Sequence, residues 1–157
     1  MKSKVYLETS IVSYLTARRS RDLVVAANQE LTREWWDSRR AAFDLFISEF
    51  VSQEAAAGDP SAAARRLAAI QSIQELAVTD EVGELARALI ESVPLPPKAQ
   101  VDAFHIAVAA VNGIDYLLTW NCSHINNAAL RPRIDYLCRS MGFEPPIICT
   151  PQELLEV

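Results

Sequence analysis

The chain has 157 residues, half of them hydrophobic and 22% charged, which supports one ordinary globular core and excludes a disordered chain. Its net charge of −5 argues against sequence-blind nucleic-acid binding through a broadly basic surface, and its four glycines, Gly58, Gly83, Gly113 and Gly142, are too dispersed to build a phosphate-cradling loop. The apolar run from Ala103 to Ile114 falls well short of the roughly 20 residues of a membrane span, and Cys122, Cys138 and Cys149, an odd set without CxxC spacing, point to a reducing cytoplasm rather than a disulfide framework.

Val5-Tyr6-Leu7 predicts a first strand, and Glu8-Thr9-Ser10 supplies capping residues for a helix through Ile11 to Leu15. Glu8 also interrupts the apolar run that follows Lys2 and Lys4 too soon for a secretory signal. After a charged break from Arg18 to Asp22, apolar positions at helical spacing predict a long helix from Leu23 to Ser38, carrying Trp35 and Trp36. Ala42 to Ser48 reads as a second strand, with Ser48 capping a short helix that contains Glu49, Val51 and Glu54. Gly58-Asp59-Pro60 stops that helix, Ser61 is the expected cap of the next, which runs to about Ser72, and Leu76-Ala77-Val78 predicts a third strand.

Glu81 to Ser92 is helical, and Pro94, Pro96 and Pro97 impose an extended connection. Lys98 to Asn112 is apolar over a wide arc and is closed as a helix by Gly113. Ile114 to Trp120 predicts a fourth strand and Ile147 to Cys149 a fifth, with Thr150-Pro151-Gln152-Glu153 as the capped start of a last short helix. Strands alternating with helices define an α/β protein, one domain over 1–157, whose mostly parallel sheet of four to five strands is covered on both faces.

Sites in open parallel sheets form beyond the carboxyl ends of the strands. Glu8 follows the first strand and Asn121 the fourth, while Glu54 and Asp102 lie on helices that a doubly wound topology can bring to the same rim. Clustered carboxylates repel unless a cation, a proton or Arg/Lys neighbours compensate them, and hard oxygen ligands favour Mg²⁺ or Mn²⁺.

The ordered segments Val5-Tyr6-Leu7-Glu8-Thr9-Ser10, Ile47-Ser48-Glu49-Phe50-Val51-Ser52-Gln53-Glu54, Asp102-Ala103-Phe104-His105-Ile106-Ala107 and Leu117-Leu118-Thr119-Trp120-Asn121 together resemble the PIN-domain family, which includes the toxin ribonucleases of bacterial toxin–antitoxin pairs. The resemblance implies a three-layer α/β/α fold and a Mg²⁺- or Mn²⁺-dependent endoribonuclease acting on RNA, with a small antitoxin partner and a homodimeric assembly. It places Glu8 at the first acidic position, where the family usually has Asp, Glu54 at the second and Asp102 at the third, these three holding the metal. Asn121 falls where a further Asp often stands. Thr9 or Ser10 is expected to orient the carboxylates, Asn121 to orient a water, and Glu54 to serve as general base. Glu8 and Asn121 depart from the family pattern and keep open an alternative, a catalytically weak or inactive module that binds nucleic acid or protein through the same cleft.

Simpler roles stand beside these. Glu8 can receive backbone N–H groups at a helix start, Asp102 can answer a helix dipole, Asn121 can be a turn residue, and Glu49 competes with Glu54. His105 reads as a hydrogen-bonded core histidine before a ligand or proton carrier, and Cys122 with His124 lacks well-spaced partners for zinc. Trp35 and Trp36 can stack on bases or serve the core or an interface, and the arginines from Arg18 to Arg40 can guide phosphates or simply be solvated.

Overall fold

In the computed structural model, which describes residues 1–155, Val5, Tyr6 and Leu7 are buried on both faces of strand β1 (Ser3–Leu7), as a strand covered by two helical layers requires. The last two residues of the expected domain, Glu156 and Val157, lie outside the described residues. Four more strands, β2 (Phe43–Ile47), β3 (Gln74–Glu75), β4 (Tyr116–Leu118) and β5 (Ile147–Cys149), complete a fully parallel sheet in the order β3-β2-β1-β4-β5. Tyr6 is the hinge of the register, paired with Phe46 on one side and Leu117 on the other.

Among the described residues, seven α-helices flank the sheet: α1 (Thr9–Thr16), α2 (Leu23–Ser38), α3 (Glu49–Ala55), α4 (Pro60–Ile70), α5 (Asp80–Ser92), α6 (Gln100–Val111) and α7 (Arg131–Ser140). Helix α1 packs against α2, α3 and α4, while α5 packs against α6 and α7. Helix α6 is buried over most of its circumference, which explains its wide apolar arc, and Gly113 ends it at φ 68°, a left-handed conformation glycine adopts without a Cβ clash. Helix α2 is capped by Asp22, whose side chain accepts from the N–H groups of Val24 and Val25. Among the described residues, no helix is long and apolar enough to cross a membrane.

Several local expectations are corrected. Asp59, not Ser61, caps α4 by accepting from Ala62 N–H, with Pro60 in the first turn where its missing N–H costs nothing. Ser48 precedes α3 without a side-chain cap, because its hydroxyl turns inward to Tyr6. The third strand is Gln74–Glu75, before Leu76-Ala77-Val78: it is an edge strand paired on one side only. The fourth is confined to Tyr116–Leu118, a 3₁₀ turn at Pro97–Ala99 precedes α6, and the last element is a 3₁₀ turn, Pro151–Leu154. Helix α7 lies where the sequence reading places nothing; its buried stripe is only Ile134 and Cys138.

The strand order locates the crevice. The chain leaves β1 toward β2 but leaves β4 toward β5 on the opposite side, so the connections diverge beyond the carboxyl ends of β1 and β4. Such a topological switch opens a cleft at that edge.

Candidate active site

Glu8 stands at this switch, directly after β1, and is 5% exposed. It occupies the N-cap position of α1, yet its side chain makes no capping bond. Instead Oε1 accepts from Ser10 Oγ at 2.5 Å and from Thr119 Oγ1 at 2.6 Å. Each of those hydroxyls in turn accepts a backbone N–H beyond β4, Ser10 from Trp120 at 2.8 Å and Thr119 from Asn121 at 2.9 Å. Their own protons are thereby directed at Glu8.

Helix α3 brings Glu54 alongside. Its Oε1 accepts from Thr9 Oγ1 at 2.7 Å and from His105 Nε2 at 2.6 Å. Burial alone raises the pKa of this carboxyl, but the His105 hydrogen bond and charge, with the Thr9 hydrogen bond, outweigh it and hold Glu54 below the ordinary glutamate value. Ligand-capable atoms of Glu8, Glu54 and His105 all lie within 4.8 Å of one another. Glu49 is exposed, and its carboxylate faces Gln53.

Asp102, in the first turn of α6 and 7% exposed, stands beside this tightest group. Its Oδ2 accepts from Asn121 Nδ2 and lies against His124 Nδ1, each at 3.2 Å. Burial raises the Asp102 pKa and the Glu8 charge adds to it, against lowering by His105, Asn121 and His124. Asn121 is fixed by a second bond, from His124 N–H to its Oδ1 at 3.0 Å. The structure thus joins Glu8 to Glu54 through the α1 start and Asp102 to Asn121 directly.

Four contributors had no assigned place in the site. Thr119 lies inside the predicted fourth strand, His124 reads as part of a rim loop or half a zinc motif, and Tyr6 and Ser48 read as a strand residue and a cap. His105 is the hydrogen-bonded core histidine expected, fully buried, but its partner is Glu54. Cys122 is exposed, and among the described residues no third ligand gathers with it and His124. Trp35 is fully buried, its ring stacked 5.9 Å from Phe43, and Trp36 lies under Arg40 at 4.5 Å.

The carboxylates share one pattern. Each has one oxygen engaged by two polar neighbours, and among the described residues the other oxygen of each accepts no hydrogen bond from the protein. No Lys or Arg pairs with any of the three among the described residues. Glu8 and Asp102, both buried, and the half-buried Glu54, each presenting a free oxygen without a Lys or Arg partner among the described residues, could together hold a hard divalent cation, with Asp102 outside the tightest group.

No protein-family model and no curated protein matches the chain. Among solved structures it is similar to VapC20 of Mycobacterium tuberculosis, a Sarcin-Ricin loop cleaving toxin, with a TM-score of 0.59 and 17% identity over 79% of this chain and 95% of that one. It is also similar to VapBC2 from Rickettsia felis bound to a DNA fragment from their promoter, with a TM-score of 0.52 and 16% identity over 94% of this chain and 98% of that one. The fold is a VapC-like PIN-domain fold.

Proposed function

We propose that this chain is a Mg²⁺- or Mn²⁺-dependent endoribonuclease and the toxin of a toxin–antitoxin pair, acting in the cytoplasm as one catalytic domain over 1–157. The observation that carries this reading is the group of three carboxylates, uncompensated by Lys or Arg among the described residues, at the topological switch of a VapC-like fold.

Glu8, Glu54 and Asp102 would hold the ion through their free oxygens. When bound, the ion supplies Lewis acidity, neutralising charge on the scissile phosphate and acidifying a water. Ser10 and Thr119 hold the Glu8 carboxylate against rotation, and Thr9 and His105 do the same for Glu54. Asn121 fixes Asp102 and leaves the site one negative charge poorer than a fourth carboxylate would. The lowered pKa of Glu54 suits it to holding a cation more than to accepting a proton, so the general-base role that its place in the sequence suggested is not assigned to it.

The partners in this reading are an RNA substrate, a small antitoxin whose segment masks the carboxylates, as an inserted Arg would do, and a second copy of the chain. Support for the antitoxin comes from the likeness to VapBC2.

The test is cleavage of a mixed single-stranded RNA pool by purified protein with Mg²⁺, Mn²⁺ or EDTA, beside Asp102→Asn. Metal-requiring cleavage that disappears in the variant is the expected result. Cleavage that survives EDTA or the substitution overturns the metal-site reading, and no cleavage by folded, partner-free protein turns the assignment to a binding module.

A further inference from the structure

We propose that His105 is a positioning residue that aims Glu54 at the metal, is not itself a metal ligand, and is kept in that role by Tyr6 and Ser48. The inference rests on the metal-centre reading above. His105 is one of the three residues whose ligand-capable atoms crowd within 4.8 Å, so ligation is the competing role.

Both ring nitrogens are already committed. Nε2 lies 2.6 Å from Glu54 Oε1, and Nδ1 lies 2.6 Å from the Tyr6 hydroxyl, which is 2.8 Å from Ser48 Oγ. An ion ligated by both Nε2 and that oxygen, at about 2.1 Å from each and near a right angle, would hold them about 3 Å apart. The shorter separation belongs to a charge-assisted hydrogen bond.

Proton placement agrees. An ionised Glu54 only accepts, so Nε2 carries a hydrogen and has no lone pair for a metal. The Tyr6 hydroxyl, hydrogen-bonded to both Nδ1 and Ser48 Oγ, occupies the other ring nitrogen, so Nδ1 is no more open to an ion than Nε2. The bonded order therefore runs Ser48, Tyr6, His105, Glu54. The Tyr6 and Phe50 rings, centred 5.8 and 6.4 Å away, wall the imidazole on two sides.

The chain of bonds also explains why Ser48 does not cap α3: its hydroxyl is spent on Tyr6. With Thr9 and His105 both on Oε1, only Oε2 of Glu54 is left for an ion. The donor set is then all oxygen, which selects a hard cation over zinc.

The test measures Mn²⁺ binding to the full chain by electron paramagnetic resonance, without RNA, for the native protein, His105→Leu, His105→Gln and Tyr6→Phe, with thermal melts to establish folding. A lost outer-shell partner should weaken Mn²⁺ binding about 10- to 100-fold in His105→Leu, and Gln, which keeps an N–H donor, should recover affinity to within about threefold of native. Tyr6→Phe should fall between them. In parallel, ¹⁵N imidazole spectra of the native chain should show Nε2 protonated before and after saturation with Mg²⁺.

Native-like Mn²⁺ affinity in folded His105→Leu, or loss of the Nε2 proton on adding Mg²⁺, overturns the proposal. If His105→Leu does not fold, His105→Gln and the native spectra decide it. Absence of Mn²⁺ binding by the native chain sinks the metal-centre reading and this inference together, whereas unchanged affinity in the folded variant sinks this inference alone.

Discussion

Thr119 Oγ1, just beyond β4, lies 2.6 Å from Glu8 Oε1, just beyond β1, so a hydroxyl from one central strand end aims a carboxylate at the other. The same oxygen accepts the Asn121 N–H. Thr119→Val keeps the shape but removes both bonds. It should lower metal-dependent kcat/KM on RNA by about 10- to 100-fold while the protein still folds, and Thr119→Ser should restore most of it. Equal rates for the Val variant would show that Glu8 does not need this hold.

Glu8 is built into its surroundings as a glutamate. The two hydroxyls meet an oxygen that aspartate, one methylene shorter, would withdraw from them. Glu8→Asp should therefore weaken Mn²⁺ binding by about tenfold or more, although the family resemblance read from the sequence leads one to expect Asp here. Calorimetric titration checks it, and tighter binding by the variant would contradict the argument.

Asp102 has a raised pKa, so its ionised form is less favourable in the fold than in the unfolded chain. Folded protein binds this proton more tightly, and the site loses stability as pH rises from the ordinary aspartate range through the raised value. Without metal at neutral pH, Asp102→Asn should raise Tm by about 2–4 °C, on the order of 1 kcal/mol, while abolishing cleavage. Melts in EDTA from pH 4 to 8 should show the gap between variant and native closing toward the acid end.

Glu54 has the opposite sign. Burial raises its pKa but His105 and Thr9 lower it further, so its contribution to stability is present above the ordinary glutamate pKa and is lost as pH falls through the lowered value. The side chain is 35% exposed, and solvent screening limits the effect of Glu54→Gln to about 1 kcal/mol or less at pH 7. The variant should flatten the acid limb of the stability profile measured by urea denaturation, and an unchanged limb would assign that limb to other carboxyls.

What the sequence made legible follows physical signal strength. Leu23–Ser38 appears as a helix with both bounds as expected, because apolar spacing and a charged break agree there. Helix α7 escapes notice because two buried residues, Ile134 and Cys138, make too narrow a stripe among Arg131, Arg133, Asp135 and Arg139. β3 shifts because an edge strand needs little β-propensity, so Leu76-Ala77-Val78 misled. In the candidate site, Glu8, Asp102 and Asn121 stand out as polar groups beside apolar elements, whereas only the family resemblance sets Glu54 apart from Glu49. Their holders do not. Thr119 on Glu8 and Tyr6 on His105 depend on the register of β1 with β4 and on the packing of α6, which no local pattern encodes.

The carboxylates come from positions 8, 54 and 102, and the strand that steadies the first of them, β4, enters the sheet beside β1. On the ribosome, the amino-terminal half can pair β1 with β2, yet one central edge of β1 stays bare until residues 116–118 emerge. Synthesis therefore delays competence: a truncated or stalled product ending before α6 carries two of the acidic groups with Thr9 and Ser10, but lacks Thr119 and His105, the second hold on each. For a chain whose proposed activity destroys RNA, long-range topology ties that activity to completion of the fold.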